Sequence, residues 1–284
     1  MASLKSGDFE EVEKEVFEKL KKDDNVDYVA LENDPEEMKI ALTKMKEIYD
    51  ESMYMLSHAN SLDEALGHLS PERQELIKTS FRLQSFNVDI QKQTDGTISL
   101  LFASLEGTPL KFVPSVVQID ASNYKKYRSI LVARIIFEAV VLVLNLIGLK
   151  VSPSQKVLAE AIDVITTIMS AHSELLGDVD DMIKAEAAKD YPAIGRAVVR
   201  CLINLISFIT SPILGLVKII IQDMSWWDII ISIVQVACFI ITIIATGGAA
   251  LVAKIISMIL DAAAFLKKLV EVKEFDAHCI GFSA

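Results

Sequence analysis

The sequence predicts a mainly α protein, a multi-helix bundle with a buried apolar helical hairpin, plus a small β-hairpin element around residues 86–119. Three observations carry this prediction. Apolar residues recur at helical spacing through most of the chain, helix-start signals precede those runs, and strict alternation is confined to the stretch from Phe86 to Asp120. Charge divides the chain as sharply as pattern does: residues 1–120 hold 13 Lys/Arg and 24 Asp/Glu, a net of −11, whereas residues 121–284 hold 15 of each. The acidity therefore belongs to the first part, and the second is a neutral, very apolar chain.

Taken in order, Phe9, Val12, Val16 and Leu20 stand between Glu and Lys at the spacing of one helical stripe. Asp34, Pro35 and Glu37 give a cap, a first-turn proline and an acid at the third position; the face from Met38 through Met45 and Ile48 to Met55 continues to about His58. Ser61 with Glu64 forms another capping box, and Ser70-Pro71 starts a helix through Arg82. Next, Phe86, Val88 and Ile90 alternate, Thr94-Asp95-Gly96 intervenes, and Ile98, Leu100 and Phe102 alternate again, which is a hairpin signature. Leu110 to Ile119 contains Pro114 and follows Pro109, so it reads as an edge strand or loop.

After Ser122, read as an N-cap, a nearly surrounded helix runs from about Asn123 to Leu149, with Arg134, Glu138 and Asn145 as the strongly polar residues of its last two thirds. Ser152-Pro153 starts a conventional amphipathic helix with a polar face from Lys156 to Glu174, which Gly177 is expected to end. Asp178, Asp180 and Asp181 resemble part of a calcium loop but lack its glycine and terminal glutamate, so they read as a solvated acidic turn. Residues 201–217 carry no charge, and residues 229–253 form a 25-residue run with none, long enough to span a bilayer. Gly247-Gly248 breaks that run into helices of roughly Trp226–Ala245 and Ala249–Val272, an apolar hairpin.

The polar residues within these apolar helices keep to one stripe each. Arg196, Arg200, Asn204, Ser207, Ser211 and Lys218 form the first; Asp228, Ser232, Gln235, Thr242 and Thr246 the second; Lys254, Ser257, Asp261, Ala264 and Lys268 the third. One reading makes each stripe the exposed seam of a helix packed in a globular bundle. The other has the bundle open in a membrane, with the apolar arc on lipid and the stripe lining a water-filled path, so that Arg200, Asn204, Ser207, Asp228, Ser232, Gln235, Lys254, Ser257 and Asp261 are candidate pore-lining residues. The two are compatible if a soluble form converts into an inserted one. A permanent multi-pass protein is the third reading, weakened by the acidic, cap-rich first 85 residues and by the lack of a positive-inside bias. Trp226 and Trp227 at the mouth of the hairpin suit interfacial anchoring or partial core burial, and Pro212 either kinks its helix or separates two shorter ones.

Other classes of function are disfavoured. No basic cluster exists to neutralise phosphates, so no nucleic-acid partner is expected. Cys201, Cys238 and Cys279 read as buried thiols and not as a disulfide framework. His58, His68, His172 and His278 lack paired-ligand spacing, and no nucleophile elbow, phosphate loop, dinucleotide fingerprint or C-x-x-C occurs, so no metal, cofactor or catalytic residue is assigned.

At the apolar hairpin, residues 226–272 behind earlier amphipathic helices, the chain resembles α-helical pore-forming proteins such as the colicin pore-forming domains and the helical domains of insecticidal toxins. The resemblance is one of layout, over roughly residues 122–272, without a diagnostic motif. It implies a soluble bundle that hides its most apolar hairpin and then inserts it into a target membrane. Colicin-type chains carry receptor and translocation domains ahead of the pore domain, whereas here an acidic helical segment (1–85) and a small β element (86–121) precede the apolar bundle (122–273) and a short tail (274–284).

The expected function is thus that of a membrane-active, pore-forming helical protein of toxin or defence type. Trp226, Trp227, Ile240, Gly247 and Gly248 are its candidate insertion residues, and lipid and further copies of the chain on the membrane are its partners. The alternative is a non-lytic bundle that binds a lipid, another hydrophobic ligand or a partner helix; an enzyme acting on an apolar substrate comes third. An acidic, amphipathic start and reduced thiols fit a soluble protein, cytoplasmic or released without a cleavable signal peptide, that acts at a target membrane.

Overall fold

A computed structural model describes residues 9–23, 26–57, 64, 66–80, 85–149, 151, 154–207, 212–222, 224–245 and 263–282. Among these, eleven α-helices and one three-stranded antiparallel sheet share a single apolar core that extends from Val12 to Cys279. The mainly α bundle with a small β element is therefore the fold, as the sequence predicts.

The first helices form where caps and stripes place them. In α1 (Phe9–Leu20) the buried positions are Val12, Val16 and Leu20. A five-residue α2 (Tyr28–Glu32) is capped by Asp27, which accepts from the Ala30 amide. Asp34 Oδ1 accepts from the Glu36 and Glu37 amides at 3.1 Å and opens α3 (Pro35–Ser57). Ser70 Oγ does the same for α4 (Pro71–Ser80) through the Arg73 amide. The capping box at Ser61 lies outside the described residues, apart from Glu64.

Strands β1 (Asn87–Lys92), β2 (Ile98–Ala103) and β3 (Val116–Ile119) lie in the order β1-β2-β3. Lys92 pairs with Ile98 across the turn, where Gly96 takes φ +85° and Asp95 accepts from the Thr97 hydroxyl and amide. Those two bonds hold the Asp95 carboxyl below the usual carboxylate range. Ile98, Leu100 and Phe102 share the inner face with Val88 and Val117, and Phe102 meets the Tyr127 ring of the next helix.

That helix, α5 (Tyr124–Leu146), is buried without interruption from Leu131 to Val141. Its N-terminus is organised by Asp120, not by the expected Ser122 cap. Asp120 Oδ1 accepts from the Ser122 hydroxyl and from the amides of Ser122 and Asn123, which hold its carboxyl below the usual range. At its other end Gly148 turns the chain with φ +91°, and Arg73 donates to the Leu146 carbonyl at 2.9 Å and to Glu51 at 2.5 Å. A Cβ on Gly148 would lie 3.1 Å from the Arg73 Nε. Gly148→Ala is therefore expected to cost about 1–2 kcal/mol in urea unfolding, from the left-handed backbone and the displaced guanidinium together.

Helix α6 (Gln155–Ala171) starts at Ser154, which accepts from the Val157 amide. It ends at His172, a half-buried junction residue, and α7 (Ser173–Ala187) begins at once. Gly177 is thus inside α7 and not a helix end, and Asp178, Asp180 and Asp181 belong to a helix and not to a solvated turn. The wrong boundary has a physical origin, since a helix-interior glycine carries the same letter as a helix-ending one and costs only about 1 kcal/mol. Helices α8 (Tyr191–Ser207) and α9 (Pro212–Ile220) come next, and the expected kink or break ahead of Pro212 falls on residues 208–211. Residues 208–211 lie outside the described residues. Helix α10 (Trp226–Ala245) and helix α11 (Ala263–His278) complete the bundle, followed by a short 3-10 turn, Ile280–Phe282.

Candidate functional site

Helix α10 has no charge from Ile229 to Ala245, and its 20 residues amount to about 30 Å of helix, the thickness of a hydrocarbon core. In the resting fold α1, α3 and α9 pack against it. The Cys238 thiol donates to the Met45 carbonyl of α3 at 3.3 Å. Behind this contact, α1 and α3 turn Glu10, Glu11, Glu36, Glu47 and Asp50 to solvent. The acidic first segment thus sheathes this very apolar helix and gives it a water-facing exterior. Both α5 and the Trp226–Ile243 stretch of α10 are long and apolar enough to cross a membrane, yet 88% and 78% of their spanning windows are buried inside the fold.

The sheath opens at one end. Trp226 is 48% exposed, Met224 is exposed beside it, and the half-buried Trp227 meets the Trp226 ring edge-on at 4.6 Å between centroids. Ser225 caps this end: its hydroxyl accepts from the Asp228 amide at 3.1 Å and bonds the Asp228 carboxylate at 2.5 Å. Trp226 therefore stands at the surface while Trp227 packs on the core.

Along α10 the polar stripe is not an exposed seam. Asp228 is exposed and Gln235 half-buried, but Ser232 and Thr242 are buried, and Ile240 is 3% exposed within the core. Small hydroxyls are accommodated inside a helix bundle because they can bond locally, so a polar stripe need not mark a wet surface. Gly247, Gly248, Lys254, Ser257 and Asp261 lie outside the described residues.

The stripe of α8 is an interhelical seam. Asp178 of α7, itself buried, accepts from Arg200 Nε at 2.9 Å and from the Asn204 amide at 2.7 Å, and Arg200 also reaches Asp181 at 2.6 Å. The bond to Asp178 outweighs partial burial and raises the Arg200 pKa. Ser207 lies in α8, and Lys218 stands exposed on α9.

Two further charge groupings were only half visible as isolated letters. Asp276 of α11 accepts from the Tyr124 hydroxyl at 2.7 Å and from Arg128 Nε at 2.9 Å, while Arg128 Nη2 reaches Asp180 of α7 at 2.6 Å. Deeper between α5 and α11 lies a four-charge cluster. Arg134 pairs with Glu271, and Lys268 with Glu138; Arg134 is 1% exposed and Lys268 2%. Lys268 is the end of the third predicted stripe and is buried, not wet. Oppositely charged residues one turn apart on each helix, Arg134 with Glu138 and Lys268 with Glu271, were the sequence signal for this pairing.

Cys201, Cys238 and Cys279 are free and buried, as the sequence predicts. Burial pushes the Cys279 thiol up to about 11, with Asp276 adding to the shift, and raises Cys201 as well. Such thiols react slowly at neutral pH while the bundle is closed, and each marks a different part of it: α8, α10 and the end of α11. Among the described residues no group of three or more His, Cys, Asp or Glu is placed to hold a metal ion. Compared with protein-family models, curated proteins and solved structures, the chain matches none.

Proposed function

We propose that this chain is a membrane-active, pore-forming helical protein, soluble at rest, that delivers α10 and the apolar segment after it into a target membrane. The observation that carries the reading is the pairing of a span-length helix, uncharged from Ile229 to Ala245, with an acidic, amphipathic sheath. A core helix needs only apolar neighbours; here the neighbours α1 and α3 come from the part of the chain that holds all of its net charge. In water they cover α10, and at a membrane lipid can take their place with little change in the apolar contact area of α10.

The exposed Trp226 stands where first contact with headgroups would occur. Trp226→Ser is expected to leave the unfolding midpoint nearly unchanged and to weaken liposome binding at least several-fold in co-sedimentation. Equal binding by the two proteins would remove Trp226 from the reading.

Dye release from liposomes tests the function itself. Leakage is expected from vesicles of one or more lipid compositions between neutral pH and about pH 5. Absence of leakage across several lipid compositions over that range would sink the proposal. A lipid co-purifying in stoichiometric amount with a protein that does not lyse would favour the non-lytic binding bundle instead.

A further inference from the structure

The cluster between α5 and α11 joins three separate parts of the chain. On α5, Arg134 and Glu138 are four residues apart; on α11, Lys268 and Glu271 are three apart, so both pairs occupy one helical turn and match crosswise. The entry to β1 adds the third part. Ser85 donates to Glu138 Oε1 through its amide at 2.8 Å and its hydroxyl at 2.9 Å. Arg134 donates to the Phe86 carbonyl at 3.2 Å and lies over the Phe86 ring. Around the cluster stand the other charged contacts of α11: Lys267 with Glu271, Lys273 with Glu186 of α7, and Asp276 with Arg128.

Four buried charges are an uneconomical way to hold two helices together. Apolar residues of similar volume usually do so as well or better, whereas removing one member of a pair strands its partner in the interior. What charges supply in exchange is a single register and a reversible joint, because on separation they regain hydration that apolar residues would not. They also resist entry into hydrocarbon, which sets a limit on how far the inserting segment can extend towards the C-terminus.

We infer that Arg134–Glu271 and Lys268–Glu138 form a release clasp that holds α11 on α5 in the closed bundle and lets it detach as a unit. The inference rests on the membrane-insertion reading for its purpose, but detachment itself is measurable in water.

Pulse labelling of the full-length protein with N-ethylmaleimide, resolved by cysteine, provides the test. Glu138→Gln removes the carboxylate that bonds Lys268 and is expected to speed labelling of Cys279 at least ten-fold, with Cys201 changing less than two-fold. The double variant Glu138→Gln/Lys268→Met removes both charges, keeps an oxygen that can accept from Ser85, and is expected to slow Cys279 labelling at least three-fold below the wild type. Wild-type Cys279 rates in Glu138→Gln, or a double variant that labels as fast as the wild type, would overturn the clasp. If Glu138→Gln fails to fold and exposes all three thiols together, the double variant decides alone. On liposomes the double variant should also leak more slowly than the wild type. A wild type that releases no dye removes the membrane reading and leaves the labelling result in water to judge the clasp.

Discussion

Ile240→Lys is expected to destabilise the resting protein by about 4 kcal/mol or more, enough to leave much of it unfolded at ordinary temperatures. Ile240 is 3% exposed near the middle of α10, where a lysine would find neither water nor an opposite charge within its own apolar run. From sequence alone, a charge at this position is expected to impair lysis more than folding. Its burial reverses that order, since the same residue that would face lipid is core at rest. Trp226→Lys, at the open end of the same helix, should cost no more than about 0.5 kcal/mol. Urea unfolding of the two variants measures the contrast, and similar midpoints would mean that α10 is not enclosed as described.

The second large effect is expected at the α7–α8 seam. Asp178→Ala removes the acceptor shared by Arg200 and Asn204, and should cost about 2–3 kcal/mol because the buried side of the network loses its charge. Asp181→Ala breaks a bond of the same guanidinium, yet Asp181 is about half exposed, and its loss should cost less than about 1 kcal/mol. A Tm difference between the two variants, with Asp178→Ala several degrees lower, is the expected result. Equal losses would show that the seam is a solvated surface pair. It follows that Arg200 and Asn204 can line a path only after letting go of Asp178.

Local chemistry made much of this legible in the sequence. Asp34 and Ser70 cap the helices they precede, Asp95-Gly96 makes the hairpin turn, and Val12, Val16 and Leu20 form the buried edge of α1, because each depends on residues within one or two turns. Where the outcome depended on distant partners, pattern was insufficient. Stripe spacing places Ser232 and Thr242 on one side of α10 but does not say whether that side meets water or another helix. Arg134 and Glu138 were recognisable as polar letters in an apolar helix, while their partners stand more than a hundred residues away on α11. Gly177 and the three aspartates after it were misplaced for a related reason, since Asp178 is held inside by Arg200 and Asn204, neither of which is near it in sequence.

On the proposed reading, α10 must leave α3 to reach a membrane. Met45 contributes the carbonyl that lies 3.3 Å from Cys238 Sγ, so position 45 is a place on α3 at which to test for a disulfide to α10. In a Cys201→Ser/Cys279→Ser background, Met45→Cys would allow α3 to be bonded to α10 by oxidation and freed by reduction, with formation checked by the loss of free thiols. Dye release from liposomes should be abolished in the oxidised form and restored by reductant to the level of the same background without Met45→Cys. Undiminished leakage by fully oxidised protein would show that α10 need not leave α3.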